Sequence, residues 1–311
     1  MKMNLVFFLV ILCSSSTLFS QSKLDTVVAQ KGDGIFSILR KSGIHPVKYY
    51  VDFLELNKDA IKGASELVIG RKYVLPYAPD SFKNMGTFIN VDENEQLALF
   101  DADLVNMKQR DSILKNTVYH LIYSTKETEE KKKSVLDEFI LKLSKDLMER
   151  GARVYVLQKS DMPLTNYSID KDGENVNTDF GELTSIVNKN YLKNNGSYQR
   201  VLMIRDSKLN KKGISISMYH YAKSADGQRF AESFRNMFKK NALGKVKTGQ
   251  GISPFTDESN MYLAKNLLPS LTIMDINSEP EGIRVRSGKS SLPQLITNGI
   301  VHDHANTHYT E

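Results

Sequence analysis

Hydrophobic and polar positions change their period several times along the 311-residue chain. Val27 and Val28 predict a short strand, Lys31-Gly32-Asp33-Gly34 a turn, and Ile35, Ile38 and Leu39 a helix running to Gly43, a candidate C-cap. A second helix carries Tyr50, Phe53, Leu54 and Leu56 and ends near Asn57. Leu67 to Pro76 then reads as a turn and a closing strand, making strand–helix–helix–strand in about fifty residues, a small two-layer unit.

Residues 78–116 are polar and weakly periodic, with room for short strands, and are the natural linker between domains. Beyond them strands and helices alternate. Val118–Tyr123 predicts a strand, and Glu129–Arg150 a helix with Val135, Phe139, Leu143 and Leu147 on one face and Gly151 as its stop. Strands follow at Val154–Leu157, Val201–Ile204, Ile214–Tyr221 and Leu271–Ile276. Helices are predicted at Glu182–Leu192, Asp226–Lys240 and Ser291–Val301, with a loop over Gly244–Asp257. The expected fold class is α/β: a small βααβ module, then a mostly parallel sheet flanked by helices on both faces. In such sheets chemistry sits beyond the C-terminal strand ends.

Composition changes this picture little: 41% hydrophobic and 25% charged residues are ordinary for a globular chain. The net charge of +6 is spread out rather than gathered in a tail, and tryptophan is absent, so a sugar-stacking surface would use Tyr or Phe. The N-terminus adds more. Lys2, the apolar run Leu5–Leu12 and the small residues up to Ser20 follow the plan of a secretory signal peptide over residues 1–20. The run is too short to span a bilayer. Cys13, the only cysteine, is preceded by Ile11 and Leu12 rather than the small residues of a lipobox, so plain export to the periplasm or cell envelope is preferred to lipidation. Cleavage after Ser20 leaves a cysteine-free chain, which excludes disulfide and thiolate chemistry.

Val28, Gly32-Asp33, Ile35 and Ile38, Asn57, Leu67, Gly70 and Tyr73-Leu75-Pro76 fall in the order that gives the first unit its resemblance to a LysM domain, over residues 24–77. Gly34 departs from the pattern, where threonine is usual. The resemblance implies a groove for N-acetylglucosamine-containing glycans such as peptidoglycan, with Gly32, Asp33, Gly34 and Ile35 on one wall and Leu67, Ile69 and Gly70 on the other. Gly turns let backbone groups approach acetamido groups closely, although the same residues also serve simply to make the turns.

Three stretches make residues 117–304 resemble zinc-dependent N-acetylmuramoyl-L-alanine amidases of the LysM-bearing Bacteroidetes kind: Leu147–Tyr155; Tyr219-His220-Tyr221 with Ser224, Phe230 and Ala231; and Leu268–Ile273. That family holds zinc with two histidines and a glutamate, and a second glutamate deprotonates the metal-bound water. The four positions fall here at Thr125, at Lys132, at Ile204 or Arg205, and at Met274 beside Asp275. Cations near a dication are hostile to it. The resemblance therefore implies a non-catalytic amidase-like domain with no metal and no cofactor. The alternative is an active amidase, loaded with zinc, that cleaves the lactyl-amide bond of peptidoglycan.

Other chemistry is thin. His120 lies inside a strand, where histidines are more often packed than ligating; Asp206 and Asp275 at strand ends are a candidate carboxylate pair. Residues 305–311 are expected to be a disordered tail, and Val301–His308 to be solvated despite its three histidines. No phosphate loop, serine elbow or paired-cysteine site is present, and Lys131–Lys133 lacks the interleaved aromatics of a nucleic-acid surface. The expected partners are a wall glycan and an envelope protein.

Overall fold

A computed structural model describes residues 24–61, 63, 65–123, 130–159, 176–206, 215–240, 247–248, 253–277, 286–287 and 290–307. The proposed signal peptide lies outside them. They fall into two compact units: residues up to Ile38 with Pro46–Ala78, and Leu39–His45 with Pro79 onward.

In the first unit β1 (Thr26–Val28) pairs antiparallel with β2 (Lys72–Val74), and α1 (Ile35–Lys41) and α2 (Pro46–Leu56) lie between them in sequence. Ile35, Ile38, Tyr49, Phe53 and Tyr73 are buried. Asn57 explains the polar residue after α2. It is buried, its amide donates to the Phe53 and Val74 carbonyls at 2.8 Å each, and its Oδ1 accepts from Val74 N at 2.7 Å. One side chain thus ends the helix and satisfies the edge of β2.

The second unit is built on an eight-stranded sheet. Its strands are β3 (Gly86–Asn90), β4 (Glu95–Ala98), β5 (Thr117–Tyr123), β6 (Arg153–Gln158), β7 (Tyr198–Asp206), β8 (Ser215–His220), β9 (Lys247–Thr248) and β10 (Ser270–Asn277), in the order β4-β3-β6-β5-β7-β10-β8-β9. Pairing is parallel from β3 through β10, while β4 and β8 run antiparallel to their neighbours β3 and β10. Among the described residues a further two-stranded ribbon joins β11 (Arg286–Ser287) and β12 (Ser290–Ser291).

Helices cover both faces, as a parallel sheet requires. After the short α3 (Phe82–Met85), α4 (Glu130–Met148) packs Leu136, Phe139, Ile140, Leu143 and Leu147 on one face. Phe230, Phe234 and Phe238 of α6 (Ala225–Lys240) and Leu292, Leu295, Ile296 and Ile300 of α8 (Leu292–Thr307) join that layer. The opposite face carries Phe180, Leu183 and Val187 of α5 (Val176–Lys193) and Leu263 of α7 (Glu258–Asn266).

Three expectations are corrected. Residues 78–116 are not a mere linker: β3 joins the main sheet beside β6, and β4 extends it. Polar Asn90, Glu95 and Gln96 obscured the period because this is a sheet edge, half wet. The C-terminal helix does not stop at Val301 but runs to Thr307, so 305–307 are helical and not a disordered tail. Asp303 holds that last turn down, being fully buried. The expected loop over Gly244–Asp257 also contains β9 and a 3₁₀ turn at Pro254–Thr256.

Candidate functional site

In the first unit the proposed glycan walls are neighbouring turns. Gly70 N donates to Ala29 O at 2.8 Å and Ala29 N to Arg71 O at 3.1 Å, which ties the turn before β2 to the turn after β1. Gly32 and Gly70 both need the left-handed region, with φ of +89° and +79°. Asp33 is committed locally: Oδ2 accepts from Gln30 N and Oδ1 from the Ser37 hydroxyl, each at 2.9 Å. Ile35 is buried, whereas Ile69 is 66% exposed and Leu67 is half-buried. A Cβ at Gly34 would meet nothing within 4 Å.

In the second unit the register decides what the strand ends can do. Tyr123 is level with Ile204, Ile204 with Met274, and Arg205 with Asp275. Because side chains alternate between faces, Ile204 and Met274 enter the apolar layer under α4, α6 and α8. Arg205 and Asp275 emerge together on the opposite face. There the Arg205 Nε and Nη2 donate to Asp275 Oδ1 and Oδ2 at 2.7 and 3.0 Å, both residues being buried. This is the bidentate fork that guanidinium and carboxylate geometries match. The suggested carboxylate pair therefore loses Asp275 to Arg205. Thr125 lies outside the described residues, and of Lys132 only its place in the first turns of α4 is described.

A zinc site needs anionic or neutral donors converging within about 2 Å of one point. At the matched strand ends stand two apolar side chains and a guanidinium already paired. Among the described residues no group of three or more His, Cys, Asp or Glu side chains converges. The described part of the set does not fit the metal.

Other histidines have structural settings. His120 is fully buried, stacks on Tyr155 with centroids 5.3 Å apart, and lies 3.4 Å from Gln199 Oε1; burial pulls its pKa down to about 4. His220 Nδ1 is 3.1 Å from the Tyr221 carbonyl. Ser224 caps α6 by accepting from Gly227 N and meets Ser270 Oγ at 2.6 Å. At the end of β5, burial and the neighbouring Asp137 push the Tyr123 hydroxyl's pKa up, so it stays a donor, 2.8 Å from Asp137 Oδ1.

Two polar groupings escaped the sequence reading. Asp303 accepts from the Tyr198 hydroxyl and from Arg229 Nε at 3.3 Å, with Arg200 Nε at 3.8 Å and the Arg200 guanidinium 4.2 Å over the Tyr198 ring. The signal was there: Asp303 follows Ile296 and Ile300 by seven and three positions, on the buried stripe of α8. The second is Lys159, buried just past β6 with Nζ 2.9 Å from Asp92 Oδ1.

No protein-family model matches the chain, and no curated protein matches it. Solved structures similar to it include the CwlD amidase from Clostridioides difficile in complex with the GerS lipoprotein, at 10% identity and TM-score 0.37, over 61% of this chain and 98% of that one. The catalytic domain of the CD27L endolysin targeting Clostridia difficile matches at 13% identity and TM-score 0.38, over 60% and 96%. The N-acetylmuramoyl-L-alanine amidase AmiC2 of Nostoc punctiforme matches at 10% identity and TM-score 0.33, over 61% and 97%. At these scores the likeness carries no argument about chemistry. Among the described residues no helix is long and apolar enough to cross a membrane.

Proposed function

We propose that the chain is an exported envelope protein that binds peptidoglycan, or another N-acetylglucosamine-containing glycan, through its first unit, and that its second unit is a non-hydrolytic amidase-like domain. One observation carries the second half: the strand ends that would present metal ligands instead hold Ile204 and Met274 in the core and an Arg205–Asp275 ion pair. The first half rests on the LysM-like order of residues together with the side-by-side turns at Gly32–Ile35 and Leu67–Gly70. There exposed Ile69 offers an apolar contact, and the glycine turns offer close backbone approach to a sugar. An envelope protein partner for the second unit belongs to the same proposal.

Two measurements on the protein from Gln21 onward test it. Insoluble peptidoglycan should retain the wild type, and Ile69→Glu should lower retention at least tenfold with its unfolding unchanged. Elemental analysis after zinc loading and desalting should find no stoichiometric zinc, and muropeptides should stay uncleaved. One zinc per chain with release of the stem peptide overturns the non-hydrolytic half; equal retention of wild type and Ile69→Glu overturns the assignment of the groove.

A further inference from the structure

The parallel strands of the second unit enter the sheet from one end, and the connectors at that end are tied to one another. Asn116 O, just before β5, accepts from Tyr198 N at the start of β7 at 3.0 Å. The Asn188 side chain of α5 donates to Asn266 O at 2.9 Å and accepts from Leu268 N at 2.8 Å, which fixes the turn before β10 against α5. Ser224, after β8, meets the Ser270 hydroxyl of β10 at 2.6 Å. Because β5, β7, β10 and β8 are neighbours in that order, this rim is three strand spacings wide, about 14 Å.

The rim is basic. Lys115 precedes β5, Lys189 and Lys193 stand in the last turns of α5, Lys265 in the last turn of α7, and Lys223 follows β8; all are exposed. The carboxylates at this end are taken by arginines instead: Asp111 by Arg150 at 2.6 Å, Asp226 by Arg229 at 3.0 Å, and buried Asp303 by Arg229 at 3.3 Å. Apolar side chains break through the same surface. Ile113 is 49% exposed, Leu192 63% and Leu268 53%. A single exposed leucine needs no explanation, but large apolar side chains set among lysines form the combination an anionic lipid surface takes up. Lipid phosphates draw the ammonium groups, and the interface accepts the hydrocarbon. An acidic polysaccharide would use the lysines and leave the leucines in water.

We infer that this rim, where β5, β7 and β10 begin and β8 ends, is a docking surface for an anionic phospholipid membrane. Leu192 and Leu268 enter the headgroup region, and the lysines around them meet lipid phosphates. Each lysine held near such a surface is worth about fivefold in binding, an effect that salt screens. The glycan groove proposed above lies wholly in the first unit, so wall binding and membrane docking can fail separately.

The test sediments the full protein from Gln21 with vesicles of equal parts phosphatidylglycerol and phosphatidylcholine, and with vesicles of phosphatidylcholine alone. Binding to the anionic vesicles only is expected, falling as salt is raised. Lys189→Gln/Lys193→Gln should weaken it at least tenfold, whereas Lys239→Gln, near the far end of α6, should change it less than twofold. The chain has no tryptophan, so Leu268→Trp reports from this rim alone. Its emission should shift to the blue on anionic vesicles and be quenched by brominated lipid. Absence of binding, equal binding to both kinds of vesicle, or equal loss in the two lysine variants overturns the proposal. An unshifted Leu268→Trp emission in vesicle-bound protein overturns it as well, because the lipid then meets another surface. Retention by dextran sulfate but not by the vesicles, lost in Lys189→Gln/Lys193→Gln, assigns the rim to an acidic polymer and overturns the lipid reading.

Discussion

Removing Asp275 alone should damage the protein more than removing Asp275 and Arg205 together. Asp275→Leu leaves a guanidinium, 2% exposed, with neither of the partners it meets at 2.7 and 3.0 Å. Breaking a buried pair from one side costs about 3–5 kcal/mol, because the survivor stays charged and dry. Against a domain stability of about 5–15 kcal/mol this is a large fraction. Arg205→Met/Asp275→Leu instead places two apolar side chains beside Met203 and Ile273, which already belong to the apolar layer on that face. Exchanging a buried pair for apolar residues of similar volume is neutral, or stabilising by about 1–4 kcal/mol. The chain has two units, so one unfolding midpoint would mix them. Amide hydrogen exchange at Met203 and Ile273 reads the opening of β7 and β10 directly. Protection should fall by about two to four orders of magnitude in Asp275→Leu and return in the double variant. A loss below about 1 kcal/mol in the single variant, or a double variant as damaged as the single, would refute the argument that desolvated charge dominates here.

Three other perturbations follow from the same geometry. His120 is held neutral by burial down to pH about 4, while the unfolded chain takes up its proton near 6.5, so stability is full above 6.5 and falls as the pH drops toward 4. The loss is at most about 3 kcal/mol, and His120→Phe should flatten that slope; a slope unchanged in the variant would sink the assignment. Asn57→Ala removes three hydrogen bonds spanning α2 and β2 and should cost about 2–3 kcal/mol, read as lost exchange protection at the Val74 amide. Two helical glycines should respond with opposite signs. A Cβ at Gly299 in α8 would stand 2.7 Å from Cδ1 of Phe234, so Gly299→Ala should destabilise by about 1–3 kcal/mol. A Cβ at Gly181 in α5 meets nothing within 4 Å, so Gly181→Ala should stabilise by up to about 1 kcal/mol, and thermal unfolding compares the two.

Local pattern was enough wherever one element buries one stripe. The four-residue recurrence of Phe139, Leu143 and Leu147 is visible without any partner, and it is the face α4 turns to the sheet. It failed where burial depends on what comes to lie alongside. Gly86–Asn90 reads as polar connector until β6 is set beside it, and Glu258–Asn266 is too rich in Ser and Asn to announce α7. The strand ends show the same limit at the level of chemistry. A cation at the end of β7 is legible from one residue, but that Asp275 is its partner is not, because the two are 70 positions apart. Their meeting depends on the parallel register of β7 with β10, which no local period encodes. One register accounts for both outcomes. Setting Ile204 level with Met274 sends that pair into the apolar layer, and the alternation of the pleat then forces Arg205 and Asp275 together on the other face. Shifting β7 alone by one residue would turn Ile204 out of that layer, bring Arg205 into it and leave Asp275 without its partner, so packing alone selects the register in which the two charges are paired.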